Sequence, residues 1–96
     1  MSNEEILELL VDIPHPAINY SLIKLGILTD IQISEKKVSA IFAFPFPKIP
    51  IADQLINSVA ITLSNFNIEF DYVIRMMTES EKSLFLKLEH EAWKGI

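Results

Sequence analysis

Ninety-six residues carrying 8 basic and 13 acidic side chains, half of all positions hydrophobic, make one globular domain with a single modest core. The net charge of −5, with its basic residues scattered from Lys24 to Lys94, argues against a nucleic-acid face, which needs clustered cations to neutralise phosphates. The absence of cysteine excludes disulfides, thiolate metal sites, thiol nucleophiles and cysteine ligation of an iron–sulfur cluster by this chain alone.

Met1-Ser2-Asn3-Glu4-Glu5 is acidic where a secretory leader would be basic, and no apolar run approaches the ~18 residues that span a bilayer. The expectation is therefore a cytoplasmic chain with neither membrane nor nucleic acid among its partners. Ser2 followed three residues later by Glu5 matches a capping box, opening a short helix with Ile6, Leu9 and Leu10 as its apolar face. Pro14 and Pro16 end it. A further helical turn is expected between Ile18 and Lys24, closed by Gly26 in a left-handed conformation.

Ile27, Thr29, Ile31 and Ile33 alternate with Leu28, Asp30, Gln32 and Ser34, a period of two that predicts a half-buried strand. Glu35-Lys36-Lys37 turns the chain, and Val38, Ala40, Phe42 and Phe44 repeat the alternation. A hairpin follows, its register left open because the turn lacks Asn-Gly. Beyond Pro50, Ile51, Leu55, Val59, Thr62, Leu63 and Phe66 recur at helical spacing, with Asn65 or Asn67 closing the helix. Ile68, Phe70, Tyr72, Ile74 and Met76 then face one way along a second clear strand, with Glu69, Asp71 and Arg75 opposite. Thr78-Glu79-Ser80-Glu81 is another capping box, opening a helix through Leu84, Phe85, Leu88 and Ala92. The predicted order is helix, hairpin, helix, strand, helix: an α+β domain with helices packed on a small mixed three-stranded sheet.

The span from His15 to about Ala92 resembles the small SufT-like iron–sulfur-assembly domains, also found at the N-terminus of Mrp/ApbC-type P-loop ATPases. Pro16 precedes Ser21-Leu22-Ile23-Lys24-Leu25-Gly26-Ile27-Leu28, which is similar to the family's Ile-Val-x-Leu-Gly-Leu-Val. Pro50-Ile51-Ala52-Asp53-Gln54-Leu55 is similar to its Cys-Pro-Leu-Ala-Asp/Glu-x-Leu. The Asn67–Met76 strand and the helix start after Met77 also fit. The departures fall on the chemistry. The family's Asp-Pro-Glu corresponds to His15-Pro16-Ala17, so both carboxylates are absent, and its cysteine corresponds to Ile49. A thiol there would sit at a helix N-terminus, where the macrodipole favours thiolate; Ile49 offers none. The resemblance implies a role in iron–sulfur protein maturation without carrying over a cluster ligand. No Gly-x-x-x-x-Gly-Lys-Ser/Thr signature is present, so nucleotide hydrolysis would belong to another chain.

The residues themselves offer few candidate sites. His15, in a proline-flanked loop with Asp12 the nearest carboxylate, reads either as a metal or small-ligand contact or as an ordinary loop histidine. Glu89-His90-Glu91 cannot chelate one ion together, because successive helical residues point about 100° apart; a site joining His15 and His90 in space stays open. Ser21 and Ser58 have no adjacent base, and Trp93 reads as an interface anchor or as cover for the core edge. The strongest candidate is the loop Pro45-Phe46-Pro47-Lys48-Ile49-Pro50. Its prolines hold it extended and remove donors, so little ordering entropy remains to be lost when Phe46 and Ile49 dock into a partner. The alternative is that one or both fold down as core. The combined expectation is a non-enzymatic adaptor with no cofactor, using His15 and Pro45–Pro50 against iron–sulfur assembly proteins or a P-loop ATPase in trans. Self-association through the apolar loop is a further expectation. A structural subunit unrelated to iron is the third reading.

Overall fold

The computed structural model describes residues 1–94. Six elements follow in chain order: α1 (Asn3–Val11), β1 (Leu28–Ser34), β2 (Lys37–Phe44), α2 (Ala52–Ser64), β3 (Glu69–Met76) and α3 (Glu79–Ala92). The sheet runs β1-β2-β3, with β1 antiparallel to β2 and β3 parallel to it, so the α+β architecture and the mixed sheet are as the sequence predicts. A parallel neighbour cannot be reached by a tight turn, and α2 supplies the crossover.

Both predicted capping boxes form. Glu5 N–H donates to Ser2 Oγ at 3.1 Å and Ser2 N–H to Glu5 Oε1 at 2.9 Å. Glu81 N–H donates to Thr78 Oγ1 at 3.2 Å and Thr78 N–H to Glu81 Oε1 at 2.8 Å. Glu5 and Glu81 both hold their charge more easily as a result. Hydrogen bonds from Ser2 lower the Glu5 pKa, while the Arg75 guanidinium and then Thr78 N–H bring Glu81 to about 2. The turn before β1 is shorter than expected: Leu25 N–H donates to Ser21 O, and Gly26 follows at φ 77. Asn67, at φ 58, reverses the chain after α2, which ends at Ser64.

The core is built on one face of the sheet. Val38, Ala40, Phe42 and Phe44 are buried there as the alternation predicts, and Ile6 and Leu10 of α1, Leu55, Ile56, Val59 and Leu63 of α2, and Phe85 and Leu88 of α3 pack into the same cluster. Phe42 lies at its centre. Its ring is stacked on Phe44 at 6.1 Å and meets the Phe70 and Tyr72 rings edge-on at 6.1 and 5.5 Å.

Three details depart from simple periodicity. First, the alternation puts Thr29 on the core face, yet it is Leu28, opposite Phe42, that is fully buried there. The register shifts between Thr29 and Gln32, where Asp30 adopts φ 50, and the inserted residue reverses the phase of the pleat. Second, Phe66 lies beyond the end of α2 and is exposed, as is Leu84 on α3, so both helical faces are narrower than their spacing suggests. Third, among the described residues β3 has no strand on its far side, and its core-facing row from Tyr72 through Met76 stays about half exposed. Among the described residues, no helix is long and apolar enough to cross a membrane.

Candidate functional site

The loop between β2 and α2 has a buried root and an exposed tip. Phe44 ends β2 in the core at 4% exposure, and its carbonyl accepts from Met77 N–H at 2.8 Å, which ties the loop base to the start of α3. Pro45 is buried behind it. Two residues on, Phe46 turns outward at 44% exposure, because the proline-flanked chain has left the pleat that would carry it inward. Pro47, Lys48 and Pro50 are exposed. Ile49 is half-buried, packed against the core cluster, and its carbonyl accepts from Ala52 N–H at 3.0 Å. Of the two proposed anchors, then, Phe46 is presented and Ile49 serves as a foot.

Phe46 meets a cation. Lys82 Nζ, on the first turn of α3, stands 4.7 Å from the ring centroid, within the range of a cation–π contact. Such a contact at an exposed site is worth about 0.5–1 kcal/mol, enough to orient the ring without burying it. Ile51 precedes α2 with no side-chain cap, in contrast to the two boxed helices.

His15 belongs to a different place. Its backbone N–H donates to Tyr20 O, and its segment is joined to the far end of α3 by Asn19 N–H to Ala92 O and Lys94 N–H to Ala17 O. Ile18 and Trp93 form an isolated bridge there. Helical rise from Lys82 to Ala92 separates the two contact points by about 15 Å, so α3 holds His15 and the loop tip at opposite ends. The residue is only 5% exposed. Its Nδ1 accepts from Ala17 N–H at 3.0 Å, which places the proton of the neutral ring on Nε2. Burial, and then the positive charge of Lys94, lower its pKa. His90 is exposed on α3 beside Leu86, Glu89 and Trp93, which line an open depression. Among the described residues, no group of three or more His, Asp and Glu is placed to hold a metal ion.

Sequence reasoning singled out the loop by its composition, and the exposed β3 row escaped it. The signal was present in Tyr72-Val73-Ile74, which is apolar on both strand faces, but only the sheet order reveals that no described strand covers it.

No family model matches this sequence, and no curated protein matches it. Among solved structures, the chain is similar to a crystal structure of a domain of unknown function, DUF59, from Bacillus anthracis. The two share 15% identity at a TM-score of 0.66, over 88% of this chain and 89% of that one. The likeness is one of fold, and it runs almost the full length of both chains.

Proposed function

We propose that this chain is a non-enzymatic adaptor in iron–sulfur cluster assembly that engages its partner through the Pro45–Pro50 loop, with Phe46 as the inserted side chain. The observation that carries the reading is the contrast between a fixed root and a presented aromatic. Phe44 and Ile49 pack against the core on either side of an outward Phe46. A large apolar side chain held ready loses little entropy on docking, and aromatic residues of this kind dominate binding energy at interfaces. The assembly context rests on the sequence likeness to SufT-like domains together with the shared fold, and fold likeness by itself carries no function. With no cysteine in the chain, the cluster ligands would come from the partner, an iron–sulfur assembly protein or a P-loop ATPase. Against a metal or small-ligand role for His15 stand its burial and its engaged Nδ1.

The test is anaerobic incubation with iron and sulfide, followed by calorimetric titration with purified assembly proteins, including the P-loop ATPase. A colourless, iron-free chain that binds one of them, and loses that binding in Phe46→Asp, is the expected result. A stoichiometric iron chromophore, or equal affinity for wild type and Phe46→Asp, overturns the proposal. Ile49→Asp is the wrong probe, because its side chain supports the core and the variant would confuse docking with folding.

A further inference from the structure

The two edges of the sheet differ. Edge strand β1 is blunted by its irregularity at Asp30, a device that discourages pairing with another chain. Edge strand β3 is straight: its register with β2 runs unbroken from Lys37 opposite Glu69 to Phe44 opposite Met76. Glu69 N–H donates to Lys36 O and Met77 N–H to Phe44 O, so the odd-numbered residues of β3 turn their backbone groups toward β2. The even-numbered residues Phe70, Tyr72, Ile74 and Met76 therefore direct their N–H and C=O groups outward, beyond the sheet. One face of this edge carries the apolar, accessible Tyr72, Ile74 and Met76, and the other sets Val73 between Asp71 and Arg75, with Val73 at 61% and Ile74 at 56% exposure.

We infer that this edge pairs with the same edge of a second copy, antiparallel, about a two-fold axis through Val73. The charges on the strand select that occupant and that register. A two-fold at Val73 sets Asp71 of each copy opposite Arg75 of the other, Tyr72 opposite Ile74, and Phe70 opposite Met76. Tyr72–Ile74 and Phe70–Met76 are then the hydrogen-bonded pairs; the Met76 carbonyl, which accepts from Arg75 Nη1 at 3.1 Å within one copy, exchanges that donor for Phe70 N–H of the second copy. Asp71–Arg75 and Val73–Val73 are the non-hydrogen-bonded pairs, whose side chains approach most closely. A parallel, in-register neighbour would instead set Asp71 against Asp71. Within one copy Asp71 already meets Lys37 at 2.9 Å, and Arg75 meets Glu81 at 2.7 Å. Pairing thus completes an alternating row, Lys37, Asp71, Arg75 and Glu81, across the junction. The contact is isologous and closes on itself, so it yields a dimer with one continuous sheet and no filament. It is made by β3 backbone and side chains and not by Phe46, and it does not depend on the adaptor reading.

Light scattering on the purified chain should give twice the 10.9 kDa chain mass across the micromolar range. Asp71→Arg alone and Arg75→Asp alone should each run as monomers, because like charges then meet across the axis. Mixing the two variants should restore a dimer, since both arginines of one strand then face both aspartates of the other. Val73→Lys, at an exposed position on the axis, should also be monomeric with an unchanged circular dichroism spectrum. Ile61→Lys, equally exposed at 61% but on α2, should remain dimeric. A monomeric wild type, a mixture of charge variants that stays monomeric, or a dimer indifferent to Val73→Lys overturns the proposal.

Discussion

Phe44 and Phe46 are the same residue type two positions apart, and truncating each to alanine separates the root of the loop from its tip. Phe44 is 4% exposed and stacked on Phe42, so Phe44→Ala leaves a cavity that the surrounding helices cannot close. That change costs about 3–5 kcal/mol. Phe46 is 44% exposed, so just over half of its contact is shielded from water. Full burial of a phenylalanine is worth about 1.5–3 kcal/mol, and the Lys82 contact adds about 0.5–1 kcal/mol. Phe46→Ala therefore costs about 1.5–2.5 kcal/mol. Against a whole stability of about 5–15 kcal/mol for a domain of this size, the two losses are well separated. Urea denaturation reads the difference. With a slope of about 2 kcal/mol per molar, Phe44→Ala should lower the midpoint by about 2 M and Phe46→Ala by about 1 M. Partner affinity should move in the opposite order. Phe46→Ala should weaken binding by about 2 kcal/mol or more, roughly 30-fold, whereas folded Phe44→Ala should bind nearly as wild type. Equal destabilisation by the two variants would refute the reasoning, since Phe46 would then be part of the core. So would a Phe46→Ala protein with full affinity.

Two further outcomes follow from local geometry. The folded-state pKa of His15 is depressed by burial, so its neutral form contributes stability above the unfolded value near 6.5. That contribution is lost as pH falls through the lower folded value, because the unfolded chain takes up the proton first. Urea midpoints should therefore decline below about pH 6.5 in the wild type. In His15→Asn, which keeps an acceptor for Ala17 N–H, they should stay level until the carboxylates titrate; parallel profiles would remove His15 as the cause. Gly26 adopts φ 77 and a Cβ added there would meet nothing within 4 Å, so Gly26→Ala carries only the left-handed backbone strain. Its expected cost is about 1–2 kcal/mol by denaturation, and a neutral result would show that the turn relaxes.

Local rules made most of the fold legible. Ser2 and Thr78 with their glutamates specify helix starts through bonds confined to a few residues, and the Val38–Phe44 alternation specifies a buried strand face, because period-two geometry leaves no other arrangement. The proline-rich loop, its apolar character and the absence of cysteine from the chain were equally plain in the sequence. Tertiary structure decided what depends on neighbours distant in sequence. The shift at Asp30, which buries Leu28 in place of Thr29, is set by pairing with β2 rather than by hydrophobic pattern. Phe46 faces outward while Ile49 faces inward because Phe44 is pinned by Met77 and Ala52 is tied back to Ile49. His15 lies at the far end of α3 from the loop because Ala17 and Asn19 bond to the helix C-terminal end. The uncovered Tyr72–Met76 row was invisible for the same reason. Periodicity reports which side chains share a face, and only the packing of the helices and the order of the strands determines whether that face is covered.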